Sequence, residues 1–149
     1  IWRYSYGNMF YVLLVSQYLT VAQFDDETVQ AIMEEALKYE GWTYVYGGDS
    51  PSTSFDCSGL VQWCYGKAGI ALPRTAQEQY NVTQHIPLSE AKAGDLVFFH
   101  STYNAGTYIT HVGLYVGNSV MLHCGNPISY TNLNSSYWQE HFYCYGRLP

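Results

Sequence analysis

Charged side chains are scarce: Asp, Glu, Lys and Arg make up 12% of the 149 residues, against 48% hydrophobic. Disorder needs the opposite balance, so a disordered chain is excluded. Basic residues are scarcer still, six against twelve acids, giving a net charge of −6. A phosphate-backbone binder needs a basic stripe, and the absence of one argues against nucleic acid as a partner. No apolar run reaches the ~18–20 residues of a membrane span. Thirteen glycines and five prolines follow no period, which excludes collagen-like and linker-like classes. The four cysteines, at 57, 64, 124 and 144, contain no Cys-x-x-Cys pair, against a zinc ribbon or a thioredoxin-like motif. If one is a nucleophile the other three cannot all pair, so a disulfide framework is not expected, although one bridge stays open. What is abundant is tyrosine, 16 in all. A flat ring with a hydroxyl at its tip suits a wet cleft for a polar polymer or peptide, and equally a core whose hydroxyls reach the surface.

At the start of the chain, Met9 to Val15 is a short apolar run after Arg3. That order resembles a signal peptide, but Tyr4, Tyr6, Tyr11 and Tyr18 do not suit one. The run reads instead as a helix over Met9–Leu19. Residues 1–24 are expected to be an N-terminal extension, the tail of an upstream domain or a linker, and residues 25–149 a single domain. Asp25-Asp26-Glu27 opens a helix whose face is Val29, Ile32, Met33, Ala36 and Leu37, with Gly41 as its stop. A loop over 41–55 follows, then a helix from Cys57 to before Gly69, then a short helix behind the Thr75–Glu78 capping box. Strands are predicted over 95–100, 109–116, 120–124 and 142–148. Helices first and strands later give an α+β fold with an antiparallel sheet.

Three residues stand out chemically. Cys57 follows Asp56 at a helix start, where the positive helix end favours thiolate, the nucleophilic form. A small buried cysteine on an apolar face is the other reading. His111 shares a strand face with Gly113 and Tyr115, away from Val112, Leu114 and Val116. Glycine there would admit the Cys57 helix and let imidazole meet thiol, while an exposed strand histidine is the alternative. His123 lies across a hairpin at Gly117-Asn118-Ser119. A two-residue loop at 117–118 would turn it away from His111, and a three-residue loop at 117–119 would set it on the same face opposite Gly113. A third group orienting the base therefore requires an odd loop or a bulge. His123 and Cys124 are zinc-ligand types, but adjacent strand residues point to opposite faces, so neither a metal nor any other cofactor is expected.

Taken in order, these residues resemble the NlpC family of papain-like cell-wall cysteine peptidases. Phe55-Asp56-Cys57-Ser58-Gly59-Leu60-Val61 is the most specific stretch. Around it lie Gly41-Trp42-Thr43-Tyr44-Val45-Tyr46-Gly47-Gly48, Leu72-Pro73-Arg74-Thr75 with Gln79, Gly94 to Phe99, and His111 through His123. The resemblance implies a papain-like α+β fold, with N-terminal helices packed on an antiparallel sheet. It implies an extracellular or cell-wall hydrolase of peptidoglycan stem peptides, cutting the γ-D-glutamyl bond to the diamino acid through an acyl-enzyme on Cys57. His111 would be the base and His123 its orienting partner. Tyr44 would complete the oxyanion site with the Cys57 backbone. Asp56 and Ser58 match positions that bind the peptide's free amine and D-glutamate end, and Arg74 matches a recurrent position among them. Thr43 and Tyr46 depart from the usual proline and tryptophan of the substrate loop. Tyr6-Gly7-Asn8 to Leu19 resembles the tail of a lysozyme-like domain, implying one upstream in bifunctional wall hydrolases. A muramoyl-alanine amidase, an acyltransferase on the same scaffold and a non-catalytic cell-wall binding module are the competing readings.

Overall fold

A computed structural model describes residues 2–6, 9–13 and 26–149 of the chain. The expected helix over Met9–Leu19 is not found where it can be checked. Trp2–Tyr6 (β1) and Met9–Leu13 (β2) are antiparallel strands, with Tyr6 opposite Met9. Residues 14–19 of that expectation lie outside the described residues. The aromatic and β-branched content of Tyr4, Tyr6, Phe10, Tyr11 and Val12 is strand-forming, and it outweighs the short apolar run.

Helix α1 runs Glu27–Leu37. Asp26 caps it, its Oδ1 accepting from the backbone N–H of Thr28 (2.8 Å) and Val29 (3.1 Å). The chain reverses at Gly41, whose φ of +89° suits a residue without Cβ. The expected 41–55 loop contains a small ribbon, Asp49–Ser50 (β3) against Ser54–Phe55 (β4). Helix α2 spans Cys57–Lys67, and α3, Ala76–Asn81, carries the Thr75/Glu78 capping box. Strands then follow: β5 Gln84–Ile86, β6 Leu96–His100, β7 Ile109–Gly117, β8 Val120–Cys124 and β9 Ile128–Asn132. Helix α4, Ser136–His141, and strand β10, Phe142–Arg147, complete the chain. The expectations missed β5, β9 and α4, three short elements with weak periodicity.

The six strands form one antiparallel sheet in the order β5-β10-β6-β7-β8-β9. The expected class, N-terminal helices on an antiparallel sheet, is the architecture found. One face of the sheet, with Leu96, Phe98, Val112, Leu114 and Leu122, is buried under Ile32, Met33, Leu60 and Val61 of α1 and α2. The other face, with Val97, Phe99, Tyr115 and Met121, is covered by Trp138 and Phe142. Buried acids lock both the helix pair and the β6–β10 strand pair. Glu35 accepts from the Trp63 indole N–H (2.9 Å) and the Tyr39 hydroxyl, joining α1 to α2. Asp95 takes a two-pronged ion pair from Arg147 of β10 (2.7 and 2.8 Å).

The β7–β8 hairpin settles the register. Its turn is Asn118-Ser119, both at positive φ, with Gly117 opposite Val120. The connection is thus neither of the two loops expected. A bulge between Tyr115 and Gly117 then shifts the ladder by one, so that Tyr115 faces Met121 and Leu114 faces Leu122. Continuing the register sets Gly113 opposite His123. The bulge supplies the odd residue that brings both histidines to one face.

Candidate active site

The loop before α2 sets the position of Cys57. Asp56 caps the helix, its Oδ1 accepting from the Gly59 N–H at 2.8 Å, while its Oδ2 accepts from the Gly47 N–H at 3.1 Å. Gly59 is required by proximity: a Cβ there would lie 2.1 Å from the Gly48 carbonyl oxygen. The substrate-loop glycines are thereby pressed onto the first turn of α2. Arg74 closes the assembly. Its guanidinium donates to both Asp56 oxygens (3.0 and 2.8 Å), to the Ser58 hydroxyl (2.9 Å) and to the Gly48 carbonyl (3.3 Å). Gln79, fully buried, donates to the Ser58 and Pro73 carbonyls and anchors the loop that carries Arg74.

Asp56, Ser58 and Arg74 are brought together with Cys57 along one cleft of about 420 Å³, shared with Tyr44 and Tyr46. A second cavity of about 350 Å³ is lined by Cys57, Tyr44, Tyr103, His111, His123 and Trp138, among others. Cys57, Tyr44 and Tyr103 are walls of both. The sulfur thus lies between a polar groove and an aromatic one.

His111 reaches this cavity by a route the sequence did not indicate. Helix α2 packs on the Val112–Leu114 face of β7, not on the Gly113 face. The room at Gly113 is taken by β8, since a Cβ there would lie 2.9 Å from the Met121 sulfur and 3.1 Å from the His123 Cβ. Cys57 packs in one core cluster with Val112 of β7, and the backbone N–H groups of Val112 and Ser58 favour its thiolate. His111 is nearly buried, and its Nε2 lies 2.9 Å from His123 Nδ1. His123 Nε2 in turn lies 2.9 Å from the Thr131 hydroxyl. Thr131, a diagonal neighbour of His123 across the β8–β9 ladder, was not singled out from the sequence, because β9 was not. Trp138 of α4 covers the pair, 5.3 Å from the His111 ring and 5.1 Å from the His123 ring. His123 and Cys124 diverge, the latter donating its thiol proton to the Phe55 carbonyl on the helix side.

Burial dominates the electrostatics. It drives the His111 imidazolium well below its ordinary range, with His123 adding to the effect, and takes His123 to about 4. Both rings are neutral at pH 7. Burial, and then the Asp56 charge, push the Cys57 thiol up to about 11, against the opposing pull of the two backbone N–H groups and Arg74. The thiolate-favouring helix end is therefore outweighed, and the resting forms are a thiol and a neutral imidazole lining one cavity. With Nε2 of His111 engaged by His123, Nδ1 is the nitrogen left to accept a proton. That tautomer requires His111 Nε2–H to donate to His123 Nδ1 and His123 Nε2–H to donate to Thr131. Tyr44 is half-buried, and burial together with the neighbouring Cys57 keeps its hydroxyl protonated far above its usual range.

The model of the NlpC/P60 family matches residues 41–147. The bifunctional muramidase/DL-endopeptidase CwlT of Bacillus subtilis (strain 168) is 49% identical over 155 residues, covering 99% of this chain and 46% of that protein. Murein DD-endopeptidase MepH of Escherichia coli (strain K12) is 42% identical over 122 residues, 78% of this chain and 44% of that protein. In three dimensions, a lipoprotein-like NLP/P60 family protein of Staphylococcus aureus superposes with a TM-score of 0.82 at 64% identity, over 84% of this chain and 42% of that one. The chain spans less than half the length of each of these proteins.

Proposed function

Since the chain belongs to the NlpC/P60 family, we propose that it is a cysteine endopeptidase of peptidoglycan stem peptides, cutting the γ-D-glutamyl bond to the diamino acid. The observation that carries this reading is the buried series His111–His123–Thr131 ending in a cavity whose wall is Cys57. A structural cysteine needs no such aligned base.

In the mechanism, the Cys57 sulfur attacks the scissile carbonyl carbon as its proton passes to His111. The oxyanion is held by the Cys57 backbone N–H and the Tyr44 hydroxyl. His111 returns the proton to the leaving amine, and a thioester remains on Cys57. Water then attacks the thioester, giving its proton to His111, and the thiol is restored. His123 keeps His111 in the tautomer that accepts through Nδ1, the office of the third member in any triad. Asp56 and Ser58 hold the free amine and D-glutamate end of the peptide, with Arg74 fixing both side chains. Residues 25–149 are the peptidase domain. Residues 1–24 are an extension, the tail of an upstream domain or a linker, with that domain lysozyme-like in the manner of a bifunctional muramidase, and the protein acts outside the cell or in its wall.

Mass spectrometry of digested muropeptides tests the assignment. The expected products are a fragment ending in D-glutamate and a peptide beginning with the diamino acid. Separation of intact stem peptide from glycan would make the protein an amidase. Cleavage between D-amino acids would give it the specificity named in the E. coli relative, and no cleavage would make it a binding module.

A further inference from the structure

The proposed reaction spreads its substrate over two cavities that meet at Cys57. The amine and D-glutamate end lies in the groove of Asp56, Ser58 and Arg74. His111, which returns its proton to the leaving amine, lines the other cavity and not that groove. The leaving diamino acid therefore lies in the cavity of about 350 Å³. There its side chain meets walls that the chemistry does not use, the rings of Tyr103, Tyr137 and Trp138 with Thr102 and Asn126. Tyr103 is 51% exposed and Tyr137 47%, so both offer ring surface to an incoming group.

Among the described residues, no acid, lysine or arginine lines this cavity, and burial keeps His111 and His123 neutral. The lysines and arginines of residues 26–149 lie elsewhere. Lys38 pairs with Glu35 (2.9 Å), Arg74 with Asp56 (2.8 Å) and Arg147 with Asp95 (2.7 Å), while Lys67 lies over the Trp63 ring at 4.8 Å. Lys92 precedes β6, at the end of that strand away from His100. The local field also opposes negative charge. Burial first, and the Asp56 charge among the further causes, hold Tyr44, Tyr103 and Cys124 above their ordinary ranges. An anion set among these walls loses water and gains no cation. We propose that the cavity selects the leaving residue by the end of its side chain, favouring an amine without a free carboxylate over an amine that carries one. The selection rests on the reading of the cleft as a γ-D-glutamyl endopeptidase. Lysine is of the favoured kind, and diaminopimelate of the other. The methylene stem of either packs on the rings, and an ammonium over a ring face gains an attraction that a carboxylate does not.

The test uses three synthetic stem peptides, alike up to the D-glutamate and differing in the next residue: L-lysine, meso-diaminopimelate, and meso-diaminopimelate with its side-chain carboxylate amidated. The lysine and amidated peptides should be cut with similar kcat/KM, and the free-carboxylate peptide about tenfold less efficiently, the loss expected for one unpaired charge. Equal cutting of all three would overturn the selection. So would an amidated peptide as poor as the free acid, since the pocket would then read size instead of charge. Tyr137→Arg supplies a cation and should bring the free-carboxylate peptide level with the others or ahead of them. The ratio between peptides is what is read, so a general loss of rate does not blur it. If that variant cuts none of the three, Tyr103→Arg is read in the same way, and the parent's own ordering decides without either. An unchanged ratio in a variant that still cleaves would take these rings out of the selection. If the parent cuts none of the three at the γ-D-glutamyl bond, the reading of the cleft falls, and the selection with it.

Discussion

At Cys57 the competition between helix end and burial decides the chemistry. A thiol raised to about 11 and an imidazole lowered well below its ordinary range, lining one cavity, are both neutral at pH 7. In the proposed reaction His111 accepts the proton as the sulfur attacks, so kcat/KM should stay level through pH 6.5 and fall only as His111 protonates at lower pH. An acid limb centred at or above pH 6.5 would show that the imidazole is not held in this dry setting. Thr131 acts on the pair from behind. Thr131→Val leaves the His123 Nε2–H without an acceptor, which should cost about 1–3 kcal/mol in stability and lower kcat with little change in KM. Thr131→Ser should restore both; a rescue that fails in denaturant melts and kinetics alike would remove Thr131 from the series. On the proposed mechanism, Tyr44→Phe takes away one of two oxyanion donors. Steady-state kinetics should show a drop in kcat of up to about a hundredfold, less than the complete loss expected for Cys57→Ala. Unchanged kinetics would take the Tyr44 hydroxyl out of the mechanism.

Among the elements, the β7–β8 hairpin and α4 carry the site. Gly113→Ala leaves the register intact but forces Met121 and His123 outward. It should abolish stem-peptide cleavage while circular dichroism still reports a folded sheet, and full activity would show that the close approach of β8 to Gly113 is not needed by the site. Trp138→Ala opens the histidine pair to water, so the acid limb of its kcat/KM profile should move up toward 6.5. An unmoved limb would make Trp138 packing alone. Much of this was legible beforehand. Apolar spacing, the Asp25-Asp26-Glu27 acids and the Thr75–Glu78 capping box marked α1, α2 and α3, and strand alternation put His111 and His123 in play. The need for an odd loop or a bulge followed from the period of two. What escaped had a physical reason. Element α4 has six residues and no apolar stripe, so Trp138 gave no signal. Strand β9 is half polar, which hid Thr131. At Gly113 the space served a neighbouring strand rather than a helix, a choice that only tertiary packing makes.

Across the whole molecule, two buried neutral histidines tie folding to pH. An unfolded chain binds their protons near 6.5, whereas folded His123 does so only near 4. Between those values the unfolded state holds more protons, so stability is full above about 6.5 and is lost as pH falls toward 4. His123 alone corresponds to on the order of 3 kcal/mol over that window. Urea melts at pH 7 and pH 4.5 should show the loss, and His123→Gln should flatten it; equal stability at both pH values would contradict the buried neutral pair. The proposed division at residue 25 implies that a chain beginning there retains stem-peptide cleavage, which a truncation assayed beside the full chain will decide. The most direct test asks whether Cys57 and His111 act as one unit. Cleavage rates on a stem peptide are measured for Cys57→Ser, His111→Ala and the double variant. The account predicts that the double variant is no slower than the slower single one, since residues working as a unit are strongly non-additive. Losses that simply multiply would mean that the sulfur and the imidazole serve the molecule separately.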